Sequence, residues 1–212
     1  APYGAFLHSI DSFDASIFGI SQLEAAAIDP QQRLLLDCGN RVMHPESRSD
    51  HLTAVVVGIS SSDYSSGEGE RRAPTLNVYS ATGVSQSIAS GRLSFTLDLR
   101  GPCLSLDTAC SSALVSVHVA AGFLHNKESS AALVGSVNLM LSATAGLAFA
   151  VAGMTSALGK CCTFDQRADG YARGEACAAI QLTSFSNQFN PESSLLLGGC
   201  VQQDGRSASL TA

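Results

Sequence analysis

The chain has 212 residues, enough for one sizeable domain or part of a larger one. Hydrophobic residues make up 45% of it and charged residues 14%, a composition that builds a packed core and excludes a disordered chain. The net charge of -6, with no Lys/Arg stripe and only the pair Arg71-Arg72, excludes a nucleic-acid footprint.

The first segment, Ser12 to Ile20, reads as a short loop anchored by Phe13 and Phe18. Ser21 with Glu24 three residues on forms a capping box, so a helix is expected to begin at Gln22. Asp29-Pro30 interrupts it, and Pro30 suits the first turn of a second helix over Gln31 to Asn40. His44 to Asp50 is a polar connection. Thr53 to Ile59 is a β-branched, apolar run, as in a strand buried on both faces. Ser60 to Pro74 is a Ser/Gly/charge-rich loop. Val78 to Ser90 reads as helix with Gly91 as its stop, followed by a short strand over Leu93 to Leu97.

Cys103 to Asp107 reads as a strand and Ser112 to Leu124 as a helix, with a sharp turn between them. Ala131 to Leu141 is expected as a buried strand, Ala143 to Ala157 as a helix, and Ala178 to Leu182 and Leu195 to Val201 as further strands. Strands alternating with helices argue for an α/β fold around a buried sheet. Ser129 to Gly159 carries no charge and is long enough to cross a bilayer. However, Gly135, Ser136, Asn138, Ser142 and Thr144 break up its apolar character, so a buried strand and helix are expected and no membrane span.

Seven cysteines, at 38, 103, 110, 161, 162, 177 and 200, show no C-x-x-C and no paired Cys/His spacing for zinc, so no metal is expected. They read as reduced thiols, mostly buried, in a reducing intracellular compartment, cytoplasmic or plastid. Ala1-Pro2-Tyr3-Gly4 is no secretory signal, and without an initial Met the natural N-terminus is expected upstream.

Cys110 stands apart from the other six because strand, turn and helix start coincide on it. A sulfur there faces the positive end of a helix dipole, which favours its thiolate and makes it a usable nucleophile. Unpaired amides at the helix start are placed to bind an oxyanion. Asp107 and Thr108 can tie down the turn through side-chain hydrogen bonds. No base is visible. His118 lies eight residues along the following helix, roughly 12 Å at the usual rise, and His8, His44, His51 and His125 carry no motif. Asp165, Asp169 and Glu175, interleaved with Arg167 and Arg173, read as a salt-bridged, turn-rich loop rather than a metal site.

Several segments together resemble one family. They are Phe13-Asp14-Ala15-Ser16-Ile17-Phe18-Gly19-Ile20-Ser21, Asp29-Pro30-Gln31-Gln32-Arg33-Leu34-Leu35-Leu36, Gly101-Pro102 through Asp107-Thr108-Ala109-Cys110-Ser111-Ser112, Gly135-Ser136-Val137-Asn138, the Gly159 to Ala176 run around Thr163-Phe164-Asp165, and Gln202-Gln203-Asp204-Gly205-Arg206-Ser207. In order and spacing they resemble the β-ketoacyl synthase domains of type I polyketide synthases. Gly135-Ser136 stands where the family usually has Gly-Gly, and Ala176 where it has glycine.

The resemblance implies a thiolase-like layered fold, α-β-α-β-α in the complete domain, usually dimeric. It implies a 3-oxoacyl-[acyl-carrier-protein] synthase type of enzyme. Cys110 would accept an acyl chain from the phosphopantetheine of an acyl carrier protein. The domain would then decarboxylate a malonyl-type thioester and join the resulting carbanion to that acyl group, with no cofactor bound directly. Cys110 would be the catalytic residue, its own amide helping to form the oxyanion hole. Asp107, Thr108, Ala109, Ser111 and Ser112 would support its turn, and the Ser60 to Pro74 loop would lie toward the subunit interface.

Residues 1–212 are read as a partial domain: the N-terminal half without its first strand, with the second half starting near 195–212. The family's two catalytic histidines and supporting lysine belong to that second half, so the 212-residue piece is expected to be inactive and poorly soluble by itself. The competing reading is a non-condensing relative kept for carrier-protein binding or scaffolding. A thiol hydrolase or thiolase is disfavoured by the Asp29-to-Arg33 and Thr163-to-Asp165 segments.

Overall fold

The computed structural model describes residues 3–43, 52–60, 62–64, 77–184 and 194–206. The elements run β1 (Gly4–Ala5), a 3-10 turn (Ala15–Phe18), α1 (Gln22–Ala27), α2 (Pro30–Val42), β2 (Thr53–Ile59), α3 (Ser80–Val84), α4 (Gln86–Thr96), β3 (Cys103–Leu106), α5 (Ser112–His125), β4 (Ala131–Asn138), α6 (Ala143–Val151), β5 (Arg173–Gly174) and β6 (Ala176–Thr183).

One four-stranded sheet, in the order β3-β2-β4-β6, organises the chain. β2 pairs in parallel with both β3 and β4, while β6 pairs antiparallel with β4. All seven residues of β2 are buried, as its unbroken apolar run predicts for a central strand covered on both faces. Side-chain alternation sends Val55, Val57 and Ile59 into one core with Leu35 and Leu36 of α2 and Leu93 of α4. Ala54 and Val56 enter a second core with Ala120 of α5. The result is three layers, with α2 and α4 on one face of the sheet and α5 on the other.

The Asp29-Pro30-Gln31-Gln32 segment explains why the helices on the first face hold their places. The Asp29 carboxylate caps α2, accepting from the Gln31 amide at 2.7 Å, and Pro30 needs no amide partner there. Gln31 Oε1 accepts from the Leu139 amide at 3.2 Å, just past the end of β4. Gln32 Nε2 donates to Thr82 and Ser85 carbonyls, and its Oε1 accepts from Arg92 Nε at 2.8 Å. Arg92 completes an ion pair with Glu24 of α1 at 2.6 Å. Thus α1, α2 and α4 share one largely buried polar network.

The chain leaves no room at Gly83, whose carbonyl oxygen accepts from the Asp29 amide at 2.9 Å. A Cβ there would collide with the Ala27 carbonyl. Gly83→Ala is expected to cost about 3 kcal/mol, because backbone rather than a flexible side chain must move. A urea titration of the protein reads this as a lower midpoint. An unchanged midpoint would show that α1 and α3 yield freely.

Five element predictions need correction. Helix Val78 to Ser90 is two helices, broken at Ser85, whose backbone is extended. Gly91 is not a stop: α4 runs through it, and Leu93 to Leu97 is helix, not strand. Residues 89, 90, 92 and 93 make a helical stripe against the sheet, so tertiary burial overrides the local signal. The helix instead ends at Thr96, closed by Asp98 with φ of 52° and by the Leu99 and Asp98 amides bonded back to Ser94 and Phe95. Helix Ala143 to Ala157 stops at Val151 because Gly153, with φ of 70°, closes the same kind of motif. Strand Ala131 to Leu141 ends at Asn138, after which Gln31 takes the Leu139 amide. Leu195 to Val201 forms no strand; it has no ladder partner among the described residues. The expected connection at 44–50 and most of the 60–74 loop, with Arg71-Arg72, His44 and His51, lie outside the described residues.

Candidate functional site

The turn between β3 and α5 follows from how β3 ends. Among the described residues β3 is an edge strand, paired only with β2, and its ladder stops at Leu106. Asp107 leaves the sheet, and its carboxylate accepts from the Ala109 amide at 2.8 Å. Ala109 has φ of 55°, a left-handed conformation that a residue with a Cβ adopts at a cost of about 1 kcal/mol. Side chains hold it there. Ser112 Oγ accepts from the Thr108 amide at 2.9 Å and donates to the Ala109 carbonyl at 2.7 Å. Ser111 Oγ lies 2.8 Å from the Thr108 carbonyl and 2.9 Å from its hydroxyl. The Ser111 and Ser112 amides bond back to Thr108 and Ala109. All five residues expected to support the turn therefore meet within it, and Cys110 sits at its apex, exposed.

Beneath the turn, α5 presents Ser112, Ser116 and Ala120 to the sheet, small residues at helical spacing that let it approach closely. Gly58 of β2 completes that approach: a Cβ there would lie 2.9 Å from the Ser112 backbone. Ser116 Oγ donates to the Ser112 carbonyl at 2.8 Å. Sequence reasoning misses Gly58 and Ser116. The i, i+4 run of small polar residues after Cys110 is their visible signal.

Ser112 is nearly buried and bonds both sides of the strained residue, so Ser112→Ala removes two hydrogen bonds at once. At about 1 kcal/mol for each, the turn should loosen enough to change the alkylation rate of Cys110 by iodoacetamide about fivefold or more. An unchanged rate with unchanged folding would show that Asp107 alone holds Ala109.

Two hollows flank the turn. One, of about 180 Å³, lies at the carboxyl ends of β2 and β3 between Ile59, Gln86, Ser87, Ser105 and Asp107. Crevices at the carboxyl ends of strands are where open α/β sheets bind ligands. The second, of about 560 Å³, lies between the outer face of α5 and the 196–202 segment, with Leu114, His118, Leu196 and Cys200 in its walls. His118 turns toward Gly199, where an added Cβ would stand 3.6 Å from Nδ1. His125 lines the same hollow, farther along the helix.

The expectation that the cysteines are mostly buried does not hold. Cys103, Cys110, Cys161 and Cys200 are exposed, and Cys38, Cys162 and Cys177 are only partly covered. Cys103 lies on the edge strand, while Cys161 and Cys200 belong to segments outside the two cores.

The 159–176 stretch folds as a salt-bridged loop. Arg167 pairs with Asp165 at 2.6 Å, and this hydrogen-bonded guanidinium lowers the Asp165 carboxyl below its usual range. Asp169 accepts from the Ala157 amide. Glu175 accepts from the amides of Leu7 and Met140, both at 2.9 Å, clamping the N-terminal segment to the end of β4. These carboxylates have their partners, and no group of three metal-binding side chains occurs among the described residues. No helix among them is long and apolar enough to cross a membrane.

Comparison with known proteins places this geometry in a family. The sequence model of the β-ketoacyl synthase N-terminal domain matches residues 1–187. The chain is 38% identical over 218 residues to a phenolphthiocerol/phthiocerol polyketide synthase subunit of Mycobacterium tuberculosis, covering 99% of this chain and 12% of that protein. It is 39% identical over 220 residues to another subunit of the same synthase, covering 99% of this chain and 14% of that protein. Among solved structures, the oxazolomycin ketosynthase domain of Streptomyces albus superposes with a TM-score of 0.71 at 29% identity, over 85% of this chain and 33% of that one. The ketosynthase from module 6 of the bacillaene synthase of Bacillus subtilis gives 0.68 at 35% identity, over 84% of this chain and 31% of that one. The chain thus spans about an eighth of those synthase subunits and a third of those ketosynthase chains, and the α/β layers described above are the thiolase-like fold of the latter. From the matched residues, the turn they contain and the shared fold, the chain belongs to the β-ketoacyl synthase N-terminal domain family, as the N-terminal part of a type I polyketide synthase ketosynthase.

Proposed function

We infer that Cys110 is the acyl-accepting nucleophile of a condensing ketosynthase. The observation that carries this reading is the locked turn: an exposed sulfur held between a strained Ala109 and the start of α5 by Asp107, Ser111 and Ser112. A thiol so placed attacks the carbonyl carbon of an acyl thioester. The new bond joins Cys110 Sγ to the acyl carbon, the old carbon–sulfur bond breaks, and the carrier thiol leaves with the proton. The Cys110 amide, beside the helix start, supports the oxyanion formed on the way. The enzyme is then of the 3-oxoacyl-[acyl-carrier-protein] synthase type. It joins the acyl group to the carbanion left when a malonyl-type thioester loses carbon dioxide.

The substrates come on the phosphopantetheine of an acyl carrier protein, the protein's main partner in this reading. The working domain is a homodimer in an intracellular compartment, cytoplasmic or plastid, and residues 1–212 are its N-terminal half, with the second half opening near 195–212. Because no histidine stands in the Cys110 turn, the base comes from that second half, and the 212-residue piece loads poorly and does not condense. The cysteine at position 110 favours this reading over a non-condensing relative.

The test is acyl loading. The intact protein is incubated with a short acyl thioester, digested and mapped by mass spectrometry. Acyl mass on the Cys110 peptide is the expected result. Acyl mass on another cysteine, or none while malonyl thioester is still decarboxylated, would point to the non-condensing relative.

A further inference from the structure

The hollow at the carboxyl ends of β2 and β3 adjoins the Cys110 turn, because Asp107, which lines it, also holds the Ala109 amide at 2.8 Å. At its base α4 and β3 are clasped together. Ser105 Oγ donates to Ser90 Oγ at 2.9 Å and accepts from the Ser90 amide at 3.2 Å. Asp107 follows Ser105 by two residues, toward the turn. Gln86 precedes Ser90 by one helical turn, about 6 Å, on the same face of α4. Gln86 and Asp107 therefore share the hollow above the clasp, and buried Ile59 gives it an apolar wall. Its polar side chains differ in what they have left to offer. Ser105 is engaged by Ser90, Ser87 Oγ lies 2.9 Å from Ser85 Oγ, and Asp107 is engaged by Ala109. Gln86 is half-buried, and its carboxamide has no hydrogen-bond partner among the described residues. A carboxamide both donates and accepts, so Gln86 can meet either kind of ligand oxygen. The hollow holds about 180 Å³. A cavity of about 150 Å³ accommodates benzene, so this one suits a group of about six or seven heavy atoms.

Resting on the reading of Cys110 as the acyl acceptor, we propose that Gln86 is a specificity-determining residue that selects a short acyl group carrying a neutral oxygen. The chain bound to Cys110 enters the hollow beside the turn, at the strand ends where open α/β sheets bind ligands. A hydroxyl on that chain donates to the Gln86 carboxamide oxygen, and a keto oxygen accepts from its nitrogen. A plain alkyl chain of the same length covers the carboxamide and leaves it unpaired, which slows loading about tenfold. A carboxylate on the chain would face the like charge of Asp107, so the oxygen that fits is a neutral one. A long alkyl chain overfills the space and gains nothing from Gln86.

The intact protein is offered 3-hydroxybutyryl, butyryl and dodecanoyl N-acetylcysteamine thioesters in turn, and the loading rate of Cys110 is followed by mass spectrometry. The 3-hydroxybutyryl group should load about tenfold faster than butyryl, and dodecanoyl should load slowest. Gln86→Leu keeps the bulk and removes both hydrogen-bonding atoms, so the ratio of 3-hydroxybutyryl to butyryl should fall to about one or below. A general disturbance of the turn would slow both groups alike and leave that ratio in place. Equal loading of the two short groups by the unsubstituted protein overturns the assignment, as does a preference that survives in Gln86→Leu. Fastest loading of dodecanoyl also overturns it and moves the chain to the larger hollow along α5. If none of the three thioesters loads Cys110, the acyl-accepting reading itself fails and takes this one with it. Should Gln86→Leu fail to fold, the three rates of the unsubstituted protein decide alone.

Discussion

Replacing Cys110 with alanine is expected to abolish acyl loading and to lower condensation by the intact enzyme about 10⁴-fold or more, since no weaker nucleophile takes over when the attacking atom is gone. The fold should not notice. The side chain is exposed, and the hydrogen bonds that hold the turn come from Asp107, Ser111 and Ser112. Truncating an exposed side chain away from such bonds stays within about 0.5 kcal/mol. Loss of loading with unchanged melting separates chemistry from folding. Residual loading in Cys110→Ala would move the nucleophile elsewhere, and Cys200, beside the α5 hollow, would be the first thiol to map. Cys110→Ser gives a graded control: the turn survives, but an alcohol is a poorer nucleophile than a thiolate, so loading should fall without vanishing.

Arg92→Met is expected to be the most damaging substitution away from the turn. The Arg92 side chain is 8% exposed and that of Glu24 23%, so the pair is mostly out of water. Removing the guanidinium leaves the Glu24 carboxylate without its partner and takes from Gln32 Oε1 its donor at 2.8 Å. Breaking one side of such a buried pair costs about 3 kcal/mol or more. The network also anchors Gln32 to the Thr82 and Ser85 carbonyls, so the loss should loosen α4 along with α1. Urea denaturation measures the total, and hydrogen exchange over 86–96 locates it. Glu24→Gln in the same background separates charge from packing. If Arg92→Met costs under about 1 kcal/mol, water screens the pair after all.

Some of this is open to reading from residues alone. The Ser21 and Asp29 caps, the Pro30 start and the all-apolar β2 are local signals. Each names a backbone partner or a burial pattern within a few residues. The Cys110 turn belongs with them: a strand-like run, a polar turn and a helix-like run follow each other directly, and the chain folds that way. Gly153 is an available stop for α6 that the apolar composition of the helix masks.

The failures have a common cause. Gly91 resembles a helix end only as long as Leu93 is read without the core it enters. Leu195 to Val201 has the composition of a strand, but a strand exists only through a partner, and no described strand lies beside it. The polar network of Glu24, Gln32 and Arg92 joins residues up to 68 positions apart, which no local window contains.

By itself, then, the sequence determined the α/β layering, the central strand and the placement of Cys110 at a strand-to-helix turn. These depend on periodicity, caps and turn chemistry that act over a few residues. Only the tertiary structure decided that Ser112 holds Ala109 in its left-handed conformation and that Gly58 lets α5 come close enough. Those outcomes depend on distances between segments, which are set when the sheet and its helices pack together.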